Sequence, residues 1–155
     1  MGALMVLVGC GGASGTPEQQ AREYISKHGH NINVGRVDYE HVALLIGLAG
    51  KGGGEEAINE VAKVAQEAHN ELDSVREELF DSEASEKLKN ASLELSEGAN
   101  ELKNAMGAIV AYAGSPNPAS LAHATTQMQS AKSKWNTAVD EIWTIAGEHG
   151  AYRLK

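Results

Sequence analysis

Histidine side chains are the most obvious reagents in this sequence, because imidazole is both a metal ligand and a general base near neutral pH. The chain has six histidines, and two of them stand one residue apart in His28-Gly29-His30, with His41 shortly afterwards. In a loop, such spacing is typical of a weak site for zinc, copper or nickel. No cysteine or second cluster near these residues completes a site. His28, His30 and His41 are therefore only weak candidate metal ligands, and we expect neither a resident metal ion nor another cofactor.

Three familiar reactive centres lack their sequence signatures. Ferritin-like di-iron bundles need two Glu-x-x-His steps, whereas no histidine here has a glutamate three positions before it. Covalent c-type haem needs Cys-x-x-Cys-His, and this chain has one cysteine. Serines are plentiful, but none lies in a nucleophile-elbow motif. The sequence therefore predicts that the protein is not an enzyme and that it has no catalytic residues.

The single cysteine, Cys10, directly follows an apolar run at the N-terminus. Residues 3–8 are all apolar, and the run closes in Leu7-Val8-Gly9-Cys10. These four residues resemble the lipobox of bacterial lipoprotein signal peptides, in which an aliphatic residue, a small or β-branched residue and glycine or alanine precede a cysteine. The resemblance implies that the Cys10 thiol takes a diacylglycerol lipid and that cleavage before it makes Cys10 the first residue. It also implies export and attachment to a membrane, on the periplasmic side or at the cell surface.

Three regions follow from this interpretation. Residues 1–9 are a shortened signal peptide, residues 10–16 are the lipid-attachment cysteine with a Gly/Ser tether, and residues 17–155 are the mature domain. The match is confined to residues 1–10 and departs from the pattern, since a basic start is missing and the apolar segment is short. A start codon placed too late, or a truncated chain, would explain the departure.

Other interpretations of the N-terminus stay open. A buried strand with a structural cysteine is one alternative, because free cysteine often behaves as a small hydrophobe. A phosphate-binding loop at residues 9–15 would lack the lysine of a Walker motif. N-myristoylation would need serine or threonine where Val6 stands.

The acidic residues are concentrated in one segment. The net charge of −8 argues against a general nucleic-acid binder, because phosphate backbones require a basic footprint. Between residues 55 and 86, eleven carboxylates stand against two basic residues. The candidate interaction face for a basic protein partner consists of Glu71, Glu77 and Glu78. The alternative is a solvated helix face that contributes only solubility.

Apolar residues recur in steps of three and four along most of the chain. One stripe runs from Ile58 to Leu79, a second from Leu88 to Tyr112 and a third from Leu121 to Ile145. This period predicts an all-α fold, an antiparallel helical bundle of three long heptad-patterned helices. The break at residues 114–118 is clear. The first two stripes are either separate helices, capped at Ser82 or Ser85, or one bent rod.

One or two short N-terminal helices should complete the bundle. Thr16-Pro17-Glu18-Gln19 predicts a helix start with a capping box. We expect that helix to end near His28, with a loop at residues 29–35. A second short helix should start at Asp38 and stop at the glycine-rich residues 50–54. Val139, Trp143 and Ala146 lie off the third stripe and predict a second buried face, covered by these short helices.

Three functions remain compatible with the sequence. The first is a lipid-anchored binding or structural module. The second is a small-ligand or metal carrier with a site between helices, near Trp135, Tyr112 and the loop histidines. The third is a soluble cytoplasmic accessory protein in which Cys10 carries no lipid. The sequence specifies neither the partner nor the oligomeric state.

Overall fold

The computed structural model describes residues 15–49, 51, 54–148 and 151–155, so the proposed signal peptide and Cys10 lie outside the described residues. The described residues form four helices and no strand. Helix α1 spans Pro17–Ala49, α2 spans Gly54–Glu78, α3 spans Glu86–Gly114 and α4 spans Pro118–Ile145. Each helix runs antiparallel to the next, as the pairs Asn31–Glu78, Asp73–Lys103 and Glu101–Lys134 show. Helix α1 packs mainly against α2 and also touches both α3 and α4. The predicted all-α antiparallel bundle is confirmed.

The three predicted apolar stripes form the centre of the bundle. Their residues are buried except at four stripe ends, which are half-buried: Ile58, Tyr112, Leu121 and Ile145. Burying a leucine-sized side chain contributes about 1.5–3 kcal/mol, so these stripes account for the packing of α2, α3 and α4. Of the three residues predicted to form a second buried face, Val139 and Ala146 are buried and Trp143 is half-buried against the core.

Helix α1 differs from the prediction. One helix runs without a break from Pro17 to Ala49, so the predicted loop at residues 29–35 and the predicted helix start at Asp38 are wrong. Its buried residues also follow steps of three and four: Ala21, Tyr24, His28, Ile32, Gly35, Tyr39 and Val42. A histidine and a glycine inside this stripe concealed the pattern, because both residue types are more typical of loops than of a helical core.

Two glycines make room for Trp135, whose side chain is fully buried. A Cβ atom on Gly35 would lie 2.5 Å from Cη2 of the Trp135 ring. A Cβ atom on Gly98 of α3 would lie 3.2 Å from the Trp135 Cα atom. The first glycine therefore accommodates the ring and the second accommodates the backbone of α4. This packing requirement explains glycine in two helix interiors, where it costs about 1 kcal/mol relative to alanine.

Polar side chains fix the starts of α1 and α4. Gln19 N donates to Thr16 Oγ1 at 3.2 Å, and Thr16 N donates to Gln19 Oε1 at 3.0 Å. The predicted capping box is therefore confirmed. Asn117 caps α4 by accepting a hydrogen bond from Ser120 N at 2.9 Å. The break predicted at residues 114–118 is thus a true helix boundary.

The turn between α2 and α3 is held by buried polar groups. Helix α2 ends at Glu78 and α3 begins at Glu86, so the two are separate helices and not one bent rod. Side chains of α1 and α3 bond to the turn backbone through three pairs: Tyr24 Oη to Leu79 O, Asp81 N to Ser92 Oγ at 3.1 Å, and Ser85 N to Gln20 Oε1 at 2.9 Å. These bonds matter because a buried backbone group without a partner costs about 1–3 kcal/mol.

Candidate functional site

The structure separates the three candidate metal ligands. All three lie on α1, where residues two positions apart point to different sides of the helix. His28 is buried, with its ring centroid 4.6 Å from that of Tyr24, whereas His30 and His41 are exposed. Within residues 15–49, 51, 54–148 and 151–155, no group of three or more histidine, cysteine, aspartate or glutamate side chains is arranged to hold a metal ion.

His28 is a core residue of α1. Burial lowers its pKa and the charge of Lys27 acts in the same direction, while Asp81 and Glu78 oppose the shift. Its imidazole is therefore neutral at physiological pH, as a buried position requires. Burial likewise raises the pKa of the neighbouring Tyr24 hydroxyl, with a further contribution from Asp81. The Tyr24 hydroxyl donates to Leu79 O in the turn between α2 and α3, and the His28 ring packs against Tyr24.

Trp135 and Tyr112 do not share a pocket with the histidines. The Trp135 ring is enclosed by the core and lies against Gly35. Tyr112 instead lines a cavity of about 30 Å³ together with Leu121, near the start of α4. Residues 121 and 135 are separated by about 21 Å along the helix axis. A cavity of that size accommodates little more than water, so the ligand-carrier hypothesis loses the site on which it was based.

The three carboxylates of the candidate interaction face are exposed on α2. The Glu77 side chain is 78% exposed and reaches Arg76 at 3.5 Å. Glu78 Oε2 accepts a hydrogen bond from Asn31 Nδ2 of α1 at 2.7 Å. Glu71 lies two turns before Glu78 on the same side of α2, where its charge is near that of Asp38 in α1. All three side chains are therefore accessible to a partner.

Asp73 shows how a neutralised carboxylate of α2 differs from these residues. Its Oδ1 atom lies 2.7 Å from Lys103 Nζ and 3.0 Å from Arg76 Nε. The hydrogen bond from Lys103, followed by that from Arg76, lowers the pKa of Asp73. The two cations that neutralise Asp73 are thus Lys103 of α3 and Arg76 of α2, whereas Glu71 and Glu78 lie on the side of α2 that faces α1.

Asp38 adds a half-buried carboxylate to that negatively charged side. Its Oδ2 atom is buried and has no hydrogen-bond partner among the described residues. Burial, and secondly the charge of Glu71, raise the pKa of Asp38 to about 6, against an opposing effect of His41. One heptad away, the same interface pairs the neutral amide of Asn31 with Glu78. The edge between α1 and α2 therefore contains two neighbouring carboxylates, Asp38 and Glu71, that a nearby cation would stabilise.

A groove between α1 and α4 is partly filled by residues 151–155. Leu154 N donates to Asn136 Oδ1 at 2.7 Å, and Asn136 Nδ2 donates to Leu154 O at 3.1 Å. Trp135 Nε1 donates to Tyr152 O at 3.3 Å. The Leu154 side chain is buried in the core. This segment covers part of the second buried face of α4, which the sequence assigned to short N-terminal helices alone.

Sequence reasoning missed both Asp38 as a site residue and the segment 151–155 as a structural element. Asp38 was interpreted as a helix cap, because aspartate favours that position. The residues of α4 that lie off its stripe were a signal for the segment, since they required a cover. No local pattern identifies which distant residues supply that cover.

Comparison with protein-family models, with curated proteins and with solved structures found no significant match. None of the helices in the described part of the chain is long and apolar enough to cross a bilayer. The functional argument therefore rests on the geometry of the bundle and on the residues of the N-terminal segment.

Proposed function

We propose that this protein is a membrane-anchored binding module, attached through lipid on Cys10, which acts by binding and not by catalysis. Its binding surface, here called the acidic face, comprises Glu71, Glu77 and Glu78 with Asp38 at the edge. The observation that carries the proposal is the exposure of all three glutamates on α2, with the charge of Glu71 near that of the half-buried Asp38 of α1. A lysine or arginine side chain from a partner would pair with the exposed carboxylates and offset the charge near Asp38.

Electrostatics at the acidic face favour a basic partner over a neutral one. Hydrogen bonds between charged groups are shorter and stronger than neutral ones, so a partner that presents lysine or arginine to the exposed glutamates gains more than a neutral partner does. Glu77 and Glu78 are exposed and contribute mainly to the rate of encounter. Salt would weaken the contact, because the Debye length at physiological ionic strength is about 8 Å.

The N-terminal residues support the membrane attachment. Leu7-Val8-Gly9-Cys10 resembles a lipobox, and residues 11–16 have the composition of a flexible tether. Each buried methylene of an acyl chain contributes about 0.8 kcal/mol, so a multiply acylated cysteine is held stably without a spanning helix. The tether would let the acidic face reach a partner at some distance from the bilayer.

Charge reversal tests the acidic face. Cells producing a tagged protein are extracted, and partners are recovered at low and at high salt. Replacing Glu71, Glu77 and Glu78 by lysine should remove a salt-sensitive partner. The matched control reverses three exposed glutamates elsewhere, Glu23, Glu94 and Glu141, which gives the same net charge. A partner that is retained by the first triple variant, or lost equally from both, would contradict the proposal.

Membrane fractionation tests the anchor separately. The Cys10→Ser variant is expressed with its native upstream sequence and compared with wild type and with Ser14→Ala. Cys10→Ser should move to the soluble fraction and lose incorporation of a labelled fatty acid, while Ser14→Ala should behave as wild type. Unchanged membrane association of Cys10→Ser would refute the anchor and leave the acidic face to its own test.

A further inference from the structure

We propose that the groove between α1 and α4 is a binding site for an extended peptide, and that residues 151–155 occupy it as an intramolecular ligand. The ligand class is an extended segment of a partner protein that carries a large aliphatic residue preceded by a basic one. The site is formed by helices α1 and α4, whereas the acidic face belongs to α2 and its edge with α1. The two sites can therefore be tested independently.

The groove recognises the backbone of the bound segment. The Asn136 amide bonds to both the N–H and the C=O of Leu154, at 2.7 and 3.1 Å. Trp135 Nε1 holds the carbonyl oxygen of Tyr152 at 3.3 Å. Peptide-binding proteins commonly use main-chain hydrogen bonds for affinity and side-chain pockets for specificity. Asn136 and Trp135 thus make contacts that any extended peptide with the same spacing can reproduce.

Specificity comes from the side chains of the bound segment next to these main-chain hydrogen bonds. The Leu154 side chain is only 3% exposed, so the site encloses an aliphatic group. Arg153 lies 3.3 Å from Asp140, with both side chains about half exposed. An exposed ion pair contributes little affinity, but it favours a basic residue next to the aliphatic one. The order basic then aliphatic follows from these two contacts.

The intramolecular segment is held in a strained conformation. Tyr152 has a φ of 70°, in the left-handed region that bulky residues rarely adopt. Its hydroxyl lies 3.5 Å from the position of a Cβ atom on Gly29, and its ring centroid is 6.1 Å from that of Trp143. Such strain persists only where surrounding contacts impose it. Displacing the segment would release this strain, which favours exchange for a separate peptide.

The groove continues beyond the bound segment. Tyr152 lies beside Trp143, and Leu154 lies at Asn136, so the segment runs toward the start of α4. Farther in that direction the groove is open over a volume of about 170 Å³, lined by Tyr39, Ala43, Ile46, Thr125, Met128 and Gln129. Asn136 and Gln129 are about 10 Å apart along the helix, a distance spanned by about three extended residues. A longer peptide could therefore place a second apolar side chain there.

The test uses full-length protein and a labelled peptide, Ala-Tyr-Arg-Leu-Lys, followed by fluorescence anisotropy. Leu154→Asp removes the anchor of the intramolecular segment and should free the groove. Because a tethered segment acts at an effective concentration in the millimolar range, Leu154→Asp should bind the peptide at least about tenfold more tightly than wild type does. A peptide extended by Ser-Ser-Val should bind more tightly still. A peptide extended by Ser-Ser-Asp should bind no more tightly than the unextended peptide does.

Two controls make the result specific. Adding Asn136→Ala to Leu154→Asp should abolish binding, whereas adding Asn90→Ala, at an exposed asparagine of α3, should leave it unchanged. A peptide with aspartate in place of leucine should not bind. Helical circular dichroism verifies folding, and if Leu154→Asp unfolds, Leu154→Ala replaces it in the same titration.

Three outcomes would overturn the proposal. The first is that a folded variant fails to bind the peptide. The second is binding that is indifferent to Asn136→Ala or to the aspartate peptide. The third is a dimer of the wild-type protein that disappears in Leu154→Asp, because the occupant would then be a second copy of this chain and not a partner peptide.

Discussion

At the scale of single residues, the contact between Gly35 and the Trp135 ring makes two glycines of one helix respond oppositely to the same substitution. Alanine is favoured over glycine in a helix by about 1 kcal/mol. At Gly35, however, the new Cβ atom would lie 2.5 Å from a fully buried ring. Overpacking of a core costs about 1–3 kcal/mol, so Gly35→Ala should lower the free energy of unfolding, measured by urea titration.

Gly47 provides the control within the same helix. Apart from its own stretch of helix, no atom of the described residues lies within 4 Å of its Cβ position. Gly47→Ala should therefore leave the fold intact and raise the free energy of unfolding by up to about 1 kcal/mol. A gain in stability at both positions would show that the Trp135 ring moves aside at little cost. A loss of stability at both positions would show that the higher helix propensity of alanine does not determine the difference between them.

The raised pKa of Asp38 makes stability depend on pH. Because the pKa in the folded protein is about 6, against an ordinary value of 3.8, the folded state binds this proton more tightly than the unfolded state does. Ionised Asp38 therefore destabilises the fold, and the loss develops as pH rises from about 4 through 6. Asp38→Asn should have a higher melting temperature than wild type at pH 7.5.

The pH profile of Asp38→Asn separates this effect from a general gain in stability. The difference in melting temperature from wild type should shrink as pH falls below 6 and vanish near pH 4. Glu71→Gln removes the facing charge and should shift the Asp38 titration, followed by NMR, toward its ordinary value. A constant difference across the pH range would contradict the assigned cause.

At the scale of helices, periodicity predicted three of the four elements and failed at the remaining one. Helices α2, α3 and α4 carry alanine, leucine and isoleucine at their buried positions, and this pattern is visible locally. Helix α1 buries His28 and Gly35 instead. His28 fits the core because it packs against Tyr24 of the same helix, and Gly35 fits because it packs against Trp135, one hundred positions later in the sequence. Tertiary contacts of that kind override local propensity and leave no local signal.

The start of α4 depends on one capping side chain. Asn117 Oδ1 accepts the hydrogen bond from Ser120 N at 2.9 Å, and loss of such a cap typically costs about 1 kcal/mol. Asn117→Ala should therefore lower stability by about that amount in urea titration. Asn117→Asp keeps an acceptor and adds a charge that favours the helix N-terminus, so it should be at least as stable as wild type.

At the scale of the whole molecule, the central stripe of α2 should be highly sensitive to charge. Leu72 is fully buried, and an uncompensated buried charge costs about 3–5 kcal/mol. For a domain of this size Leu72→Asp should lower the melting temperature by about 10 °C or more. The control Ser74→Asp places the same charge on the exposed side of the helix and should change the melting temperature little. Equal effects would show that Leu72 is not central to the core.

The N-terminal segment should be dispensable for folding. Helix α1 starts from the Thr16–Gln19 capping box, which is formed entirely by residues after position 15. Removing residues 1–14 should therefore leave the helical circular dichroism and the melting temperature unchanged. A large loss of stability would instead favour the alternative in which the apolar residues around Cys10 pack as a buried strand.

The site was less predictable than the fold, for a physical reason. Exposure of Glu71, Glu77 and Glu78 follows from their positions outside the apolar stripe of α2, so the sequence identified them. The contribution of Asp38 depends on Glu71 of a neighbouring helix. The hydrogen bonds between Asn136 and Leu154 join residues that share no sequence periodicity. Periodicity predicts which side of a helix is buried, but not which distant segment covers it.

Both tryptophans of the chain lie against the segment that occupies the groove. Trp135 donates its indole N–H to Tyr152 O, and the Trp143 ring lies 6.1 Å from the Tyr152 ring. Indole emission shifts to longer wavelength when water reaches the ring, and nearby tyrosine transfers excitation energy to tryptophan. Departure of residues 151–155 should therefore shift the tryptophan emission to longer wavelength and, at the same time, reduce the energy transfer from Tyr152 to tryptophan. The unlabelled protein carries its own optical signal of what its groove contains.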